Sequence, residues 1–341
     1  MFKRLIILAV SVSALSISIS ATANTKILLN CFTPAKHVLC HALRDWKEQV
    51  EAITDKRVRI AIPAKSMAPP PEQMNSVRGG LVDAAIMFNG FSAKEIAGPM
   101  VAMNPFTGSD KAEANSVAVW RTYEKFFADK DEYKGVKLLG LIANPGAHFY
   151  SMTDKPIKTV VDIKERKMWA LPGATAGMLK AIGSSVVSGP AVQMTEIIQR
   201  GVVDGFVGIP PESAVAFNVL PYAKSITQTP RSVFTAVFSF FISDEKWNEI
   251  SDEDKKLIES VSYEVFAKRS GEIFDESNGE AAVKQAKAIQ ELQASDAFYT
   301  ELQEIGKPFS ARWIKRVGAM GVDGQAALDF YINQIDELSG E

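Results

Sequence analysis

Residues 162–205, DIKERKMWALPGATAGMLKAIGSSVVSGPAVQMTEIIQRGVVDG, decide the fold. KMWAL, residues 167–171, is a short apolar run closed by Pro172-Gly173, the pattern of a strand entering a turn. Met178, Leu179 and Ile182 then recur at helical spacing, and Gly183 stops the helix. A second short helix through Ile197 and Ile198 ends at Gly201 and feeds Val202-Val203, a buried-strand run. Strand, helix, strand, helix, strand in this order is a βαβ-type unit. It implies parallel strands whose carboxyl ends share one edge, where small ligands bind in such sheets.

The closing phrase occurs earlier as well. Met74, Val77, Gly80, Leu81, Val82 and Asp83 match Thr195, Ile198, Gly201, Val202, Val203 and Asp204 in spacing, 121 positions apart. Each copy reads as helix, glycine stop, two apolar strand residues, Asp and a small residue. The pair predicts two similar α/β lobes rather than one large sheet.

Working outward, the chain begins with Lys3 and Arg4, an apolar run from Leu5 to Ala14, and Ala21-Thr22-Ala23, the layout of a cleaved export signal. The run is too short and Ser-rich for a spanning helix, and no later segment approaches the roughly 18 apolar residues that one needs. Cleavage after residue 23 leaves 318 of the 341 residues, enough for two ordinary domains, and shifts the formal charge from −2 to −4. Near-neutral charge without a basic tract argues against nucleic acid as a partner. Cys31 and Cys40 both survive cleavage. They form a disulfide in an oxidising compartment, or remain two buried thiols.

The expected organisation is α/β with two lobes: lobe 1 over 24–143, with 233–250 returning to it, and lobe 2 over 144–232. Residues 251–341 supply a long helix spanning both lobes and the closing helices. Lys26 to Asn30 is the first strand and His37 to Ile53 the first helix, with Phe32 in the loop between them. Ala84 to Phe88 is a strand ending at Phe88-Asn89-Gly90-Phe91. Val136 to Ala143 is an apolar strand ending at the hinge signal Asn144-Pro145-Gly146, and Ser225 to Gln228 is a second candidate crossing segment. Val233 to Ile242 is an apolar strand, Ser243 and Ser251 are N-caps, and Ser251 to about Leu292 reads as helix throughout.

Catalytic signatures are thin. His37 and His41 stand at i, i+4, but Val38 occupies the place of the Glu that a zinc-protease helix needs, and no third ligand is signalled. Ser243-Asp244-Glu245-Lys246 spells S-x-x-K without its partner motifs, so a helix cap is the simpler reading. No nucleophile elbow, phosphate loop or dinucleotide fingerprint occurs. No metal, no cofactor and no catalysis are expected; an exported enzyme is the least favoured alternative.

Several blocks resemble the dicarboxylate-binding family of solute receptors of TRAP transporters (tripartite, ATP-independent). They are Val161-Asp162-Ile163-Lys164 leading to Lys167-Met168, Pro172-Gly173, Gly201 to Gly205, Arg78 to Asp83, Gly135 to Gly140, and the Trp-containing acidic helix start from Ser243 to Lys255. The resemblance covers essentially the whole mature chain. It implies a periplasmic-binding-protein fold, two lobes joined by crossing strands, and lobe closure over a small organic solute that passes to the membrane permease. A monomer is expected.

One departure from the family stands out. Where the family carries an Arg that pairs with a substrate carboxylate, this chain has Trp169, while Arg166 falls on the opposite strand face. One reading is an aromatic site for an amine or other cation, with Trp169, Phe88, Phe149, Phe206 and Phe32 as walls, Asn89 beside them and Glu212 as counter-charge. The other places Trp169 in the inter-lobe core and gives an organic acid a different anchor, Arg231.

Overall fold

The computed structural model describes residues 24–340; the expected export signal lies outside the described residues. β1 (Thr25–Asn30), α1 (Val38–Ile53), β2 (Val58–Ala61), α2 (Gln73–Arg78) and β3 (Ala84–Phe88) form two successive βαβ steps, with β1 parallel to both neighbours. α3 (Ala112–Phe126) leads to β4 (Val136–Ala143), after which the chain crosses into a second sheet. There it forms β5 (Phe149–Ser151), α4 (Val160–Lys164), β6 (Lys167–Ala170), α5 (Ala174–Ile182) and β7 (Ser185–Ser188). α6 (Met194–Gln199), β8 (Gly205–Val207), α7 (Pro211–Ala216) and β9 (Ser225–Gln228) continue it. The chain returns as β10 (Val237–Ser243), then runs through α8 (Asp244–Glu249), α9 (Asp252–Ser260) and α10 (Tyr263–Ala288). β11 (Gln290–Gln293), α11 (Asp296–Gly318) and α12 (Gly324–Ser339) close it.

The first sheet has the order β2-β1-β3-β10-β4 and the second β11-β9-β5-β8-β6-β7. β10 is the return strand, antiparallel to both β3 and β4. Its Phe238, Phe240, Phe241 and Ile242 are all buried, as a central strand covered on both faces requires. The crossings are residues 144–148 and 229–236, tied by an isolated bridge between Ala147 and Phe234. Ser225–Gln228, expected as a crossing segment, lies within the second sheet as β9, and the return strand starts at Val237 rather than Val233.

α10, about 39 Å long at 1.5 Å per residue, spans both lobes. Gly271 lets it press onto α3, since a Cβ there would lie 2.3 Å from the Glu113 Cα. Asp275 then accepts the N–H groups of Ala112 and Glu113 at 2.6 and 3.1 Å, finishing the start of α3. Toward its other end, Asn278 accepts from the Glu212 N–H (3.1 Å) and Gln285 from the Tyr150 hydroxyl (2.6 Å), both second-lobe groups. The helical pattern expected to run to Leu292 breaks at Ile289, and Leu292 sits in β11, parallel to β9. Four mostly polar residues at a sheet edge carry no alternation that distinguishes strand from helix.

The sequence repeat has a physical counterpart. Asp83 Oδ2 accepts the Leu28 N–H of β1 at 2.7 Å, and Asp204 Oδ2 accepts the Lys167 N–H of β6 at 2.9 Å. Gly80 and Gly201 both take positive φ, 71° and 63°, to end the preceding six-residue helices, as a left-handed stop requires. Each Asp thus clamps a strand to its parallel neighbour in its own lobe. Asp83→Ala and Asp204→Ala should each cost about 1–2 kcal/mol in urea denaturation. Loss at one site with none at the other would show that the two phrases are not mechanical equivalents.

Candidate functional site

The carboxyl ends of β1, β3, β6 and β8 meet between the lobes. β1 runs into Cys31-Phe32-Thr33, and a Cys31–Cys40 disulfide (Cα–Cα 5.8 Å) ties that loop to the first turn of α1. His37 caps α1: its Nδ1 accepts the Leu39 N–H at 3.2 Å, which leaves the ring proton on Nε2. Nε2 lies 3.4 Å from Ser213 Oγ and 3.7 Å from Glu212 Oε2, both on α7 of the second lobe. Glu212 Oε1 in turn accepts the Val38 N–H at 3.2 Å, and Oε2 accepts from Ser213 Oγ at 3.0 Å. A carboxylate of one lobe therefore sits at the positive end of a sixteen-residue helix of the other.

Beside this contact lies an apolar cavity walled by both lobes. Phe32, Phe88, Phe91 and Phe238 come from the first lobe, and Leu171, Ile209 and Phe217 from the second. Thr33, His37, Ser213 and Asn144 give it a polar margin, and no Lys, Arg, Asp or Glu lines it. It leaves about 30 Å³ for the centre of a water molecule, within about 400 Å³ of space between atoms counted out to its mouth. Burial holds the His37 imidazole below its ordinary pKa of 6.5, against the opposing pull of Glu212. Gly90 is a close-approach position, because a Cβ there would stand 2.3 Å from the Phe88 ring.

Of the residues expected at the site, Phe32 and Phe88 line the cavity. Asn89 follows β3, fully buried; its Oδ1 accepts from Ser239 Oγ at 2.7 Å and its Nδ2 is unpartnered. Glu212 is at the margin, but it is held by Val38, Ser213 and His37 rather than facing the cavity as a free counter-charge. Trp169 is fully buried in the apolar cluster shared by the lobes, paired in register with Val187 and Phe206, and its indole N–H has no partner. It does not line the cavity; Leu171, two residues on, does. Phe206 stacks on Tyr150 at 4.4 Å, and Phe149 packs against Phe298 in a separate cluster of the second lobe. Arg231 pairs with Asp336 of α12, which commits its charge outside the cavity. Arg166 donates to the carbonyls of Asp162 and Lys155, so it too is a structural group.

Sequence reasoning missed His37 as a lining residue, together with Ser213, Phe91, Phe217 and Phe238. Phe91 lay within the Phe88-Asn89-Gly90-Phe91 phrase, and Ser213 directly follows Glu212; their adjacency to expected residues was the available signal. Among the described residues no group of three potential metal ligands occurs, and no helix is long and apolar enough to cross a membrane.

Two look-alike lobes closed over an apolar cavity, with a helix running behind both, define a solute-binding receptor. The chain belongs to the bacterial extracellular solute-binding protein family 7, the DctP family of TRAP receptors, whose model matches residues 29–316. It is 33% identical to the protein named outer membrane transporter protein TsaT of Comamonas testosteroni over 330 residues, 97% of each chain. Its fold is similar to that of a TRAP periplasmic solute-binding protein of Bordetella bronchiseptica solved with (R)- and (S)-mandelate. The TM-score is 0.87 and the identity 29%, over 92% of this chain and 99% of that one. A marine metagenome TRAP protein specific for aromatic acids, solved with metahydroxyphenylacetate, shares the fold at TM-score 0.83 and 23% identity, over 92% and 99% of the two chains.

Two outcomes follow from the geometry. The unfolded chain takes up a proton on residue 37 near pH 6.5, whereas the folded chain resists it until lower pH. Stability should therefore fall as pH drops below about 6.5, and His37→Gln should flatten that fall in thermal denaturation at stepped pH. Cys31→Ser with Cys40→Ser releases a loop of about ten residues, which should cost about 2.5 kcal/mol, read by urea denaturation; an unchanged midpoint would deny the staple a stabilising role.

Proposed function

We propose that this chain is a periplasmic receptor for a small aromatic carboxylate, exported by its N-terminal signal and delivering its solute to a TRAP permease. The observation that carries the reading is the cavity itself: phenylalanine walls from both lobes, with a neutral polar margin at His37 and Ser213. A flat apolar ring buries its surface between the phenylalanines, gaining roughly 25 cal/mol per Å² removed from water. The carboxylate end accepts from His37 Nε2–H, oriented by the Leu39 contact, while the single hydroxyl hydrogen of Ser213 stays on Glu212. Asn144 Oδ1, buried without a partner at the cavity margin, is an acceptor and suits a hydroxyl on the solute rather than its carboxylate. Mandelate in the Bordetella relative is of the same chemical class.

The amine alternative lacks support in this geometry. Glu212 is engaged by the start of α1 and by Ser213, and the lining holds no acidic side chain that would face an ammonium group. The Arg231 anchor is likewise unsupported, since that guanidinium is paired with Asp336. The cavity's small free space means that the lobes part to admit a solute and close again around it.

A panel of benzoate, mandelate, acetate and benzylamine read by thermal shift and titration calorimetry tests the proposal. The aromatic acids should raise the melting temperature, with one molecule bound in the phenylalanine cavity and no turnover, and benzylamine should not. His37→Ala should weaken benzoate about 10–100-fold, the scale of losing a hydrogen bond to a charged group. Gly90→Ala, whose Cβ would stand 2.3 Å from the Phe88 ring and so displaces this cavity wall, should weaken it at least about tenfold. Stabilisation by benzylamine alone would overturn the carboxylate reading.

A further inference from the structure

A second crevice between the lobes has a different chemistry from the first. Met100, Met103 and Asn104 of the first lobe form one wall, and Gly173-Ala174, where α5 begins, form the facing wall. The back is a face of α11 carrying Phe309, Arg312, Trp313 and Arg316. It leaves about 280 Å³ for water centres, far more than the phenylalanine cavity. No Asp or Glu lines it.

The two arginines are one helical turn apart, and neither lies within ion-pair distance of a carboxylate among the described residues. The Arg312 guanidinium stands 4.1 Å from the Phe309 ring centroid. Arg316 donates to the Ile96 carbonyl at 3.2 Å, and the acid that acts on it, Glu132, is already bonded to the N–H groups of Ala97 and Gly98. Across the crevice, Gly173 and Ala174 open α5, which has no side-chain cap. Arg312 without an ion-pair partner, and Arg316 bonded only to the Ile96 carbonyl and the Met100 thioether with Glu132 nearby, stand across the crevice from the start of α5, above an aromatic and thioether surface; this suits an anion with a flat apolar body.

We propose that this crevice is a second binding site for an aromatic carboxylate, held by Arg312 and Arg316 with its ring on the Phe309, Met100 and Met103 surface. The site stands apart from the phenylalanine cavity and holds whether or not that cavity takes the same class of solute. Its walls come from both lobes, so an anion bound there favours the closed arrangement.

Benzoate titration of the full mature chain tests this, followed by calorimetry and by the Nε–Hε NMR signals of Arg312 and Arg316. Wild type should show two sites, with both arginine signals moving as the weaker one fills. Arg312→Glu, at an exposed position, should abolish the weaker site, at least a tenfold loss, while leaving the tighter one. His37→Ala should do the reverse, so failure of the cavity reading is seen separately from failure of this one. Acetate should bind the crevice at least tenfold more weakly than benzoate. Arginine signals that stay fixed at saturating benzoate, an Arg312→Glu isotherm that superimposes on wild type, or equal binding of acetate would each overturn the proposal.

Discussion

The closed arrangement rests on one carboxylate that belongs to the wrong lobe. Glu212 leaves α7 and completes the first turn of α1, where Val38 N–H would otherwise lack an acceptor. Its other oxygen accepts from Ser213 and approaches His37, so one side chain sets the position of two polar groups at the cavity margin. The contact is short-range and buried, and it is made only when the lobes meet. Opening the cleft exchanges these bonds for water, a modest net change, which is what a receptor that binds and releases requires. The same contact removes Glu212 from the account of what the solute's charge must be.

The topology explains why such a contact is available. Inserting β10 antiparallel between β3 and β4 brings the chain back to the first sheet after the second is complete. Two crossing segments then run side by side and are bridged at Ala147 and Phe234. Each lobe keeps its own parallel βαβ unit, and the clamps made by Asp83 and Asp204 hold both units in the same internal geometry. The carboxyl edges of the two units consequently face each other, and α10 contacts both lobes from behind through Gly271 and Asn278.

Much of this was legible because it is local. Glycine stops, the Asp after each paired strand, the N-caps Ser243 and Ser251, and the apolar return strand all carry their signal within a few residues. The site was harder to read because its members meet only through the fold. Phe149 and Phe206 sit on strands that do reach the second sheet's centre, yet strand alternation cannot say which face looks into a cleft and which into a lobe's own core. Arg231 looked available because Asp336 lies more than a hundred residues away in sequence. β11 escaped notice because a four-residue edge strand with a single apolar residue, Leu292, has no pattern to show.

Trp169 is the position where these strands of argument meet. An arginine there would place a permanent charge in the apolar layer between the lobes, and pairing it with a solute carboxylate would require removing both ions from water. With an indole, the position belongs to the apolar cluster that includes residues of both lobes, beside Val187 and Phe206. A carboxylate can then be met at the cavity margin by a neutral donor, whose own burial costs less. On this view the substitution does not invert the charge of the preferred solute. For the proposed aromatic carboxylate, recognition then moves from an ion pair to a ring box with a hydrogen-bonded end, and the apolar body of the solute carries more of the selection than its charge.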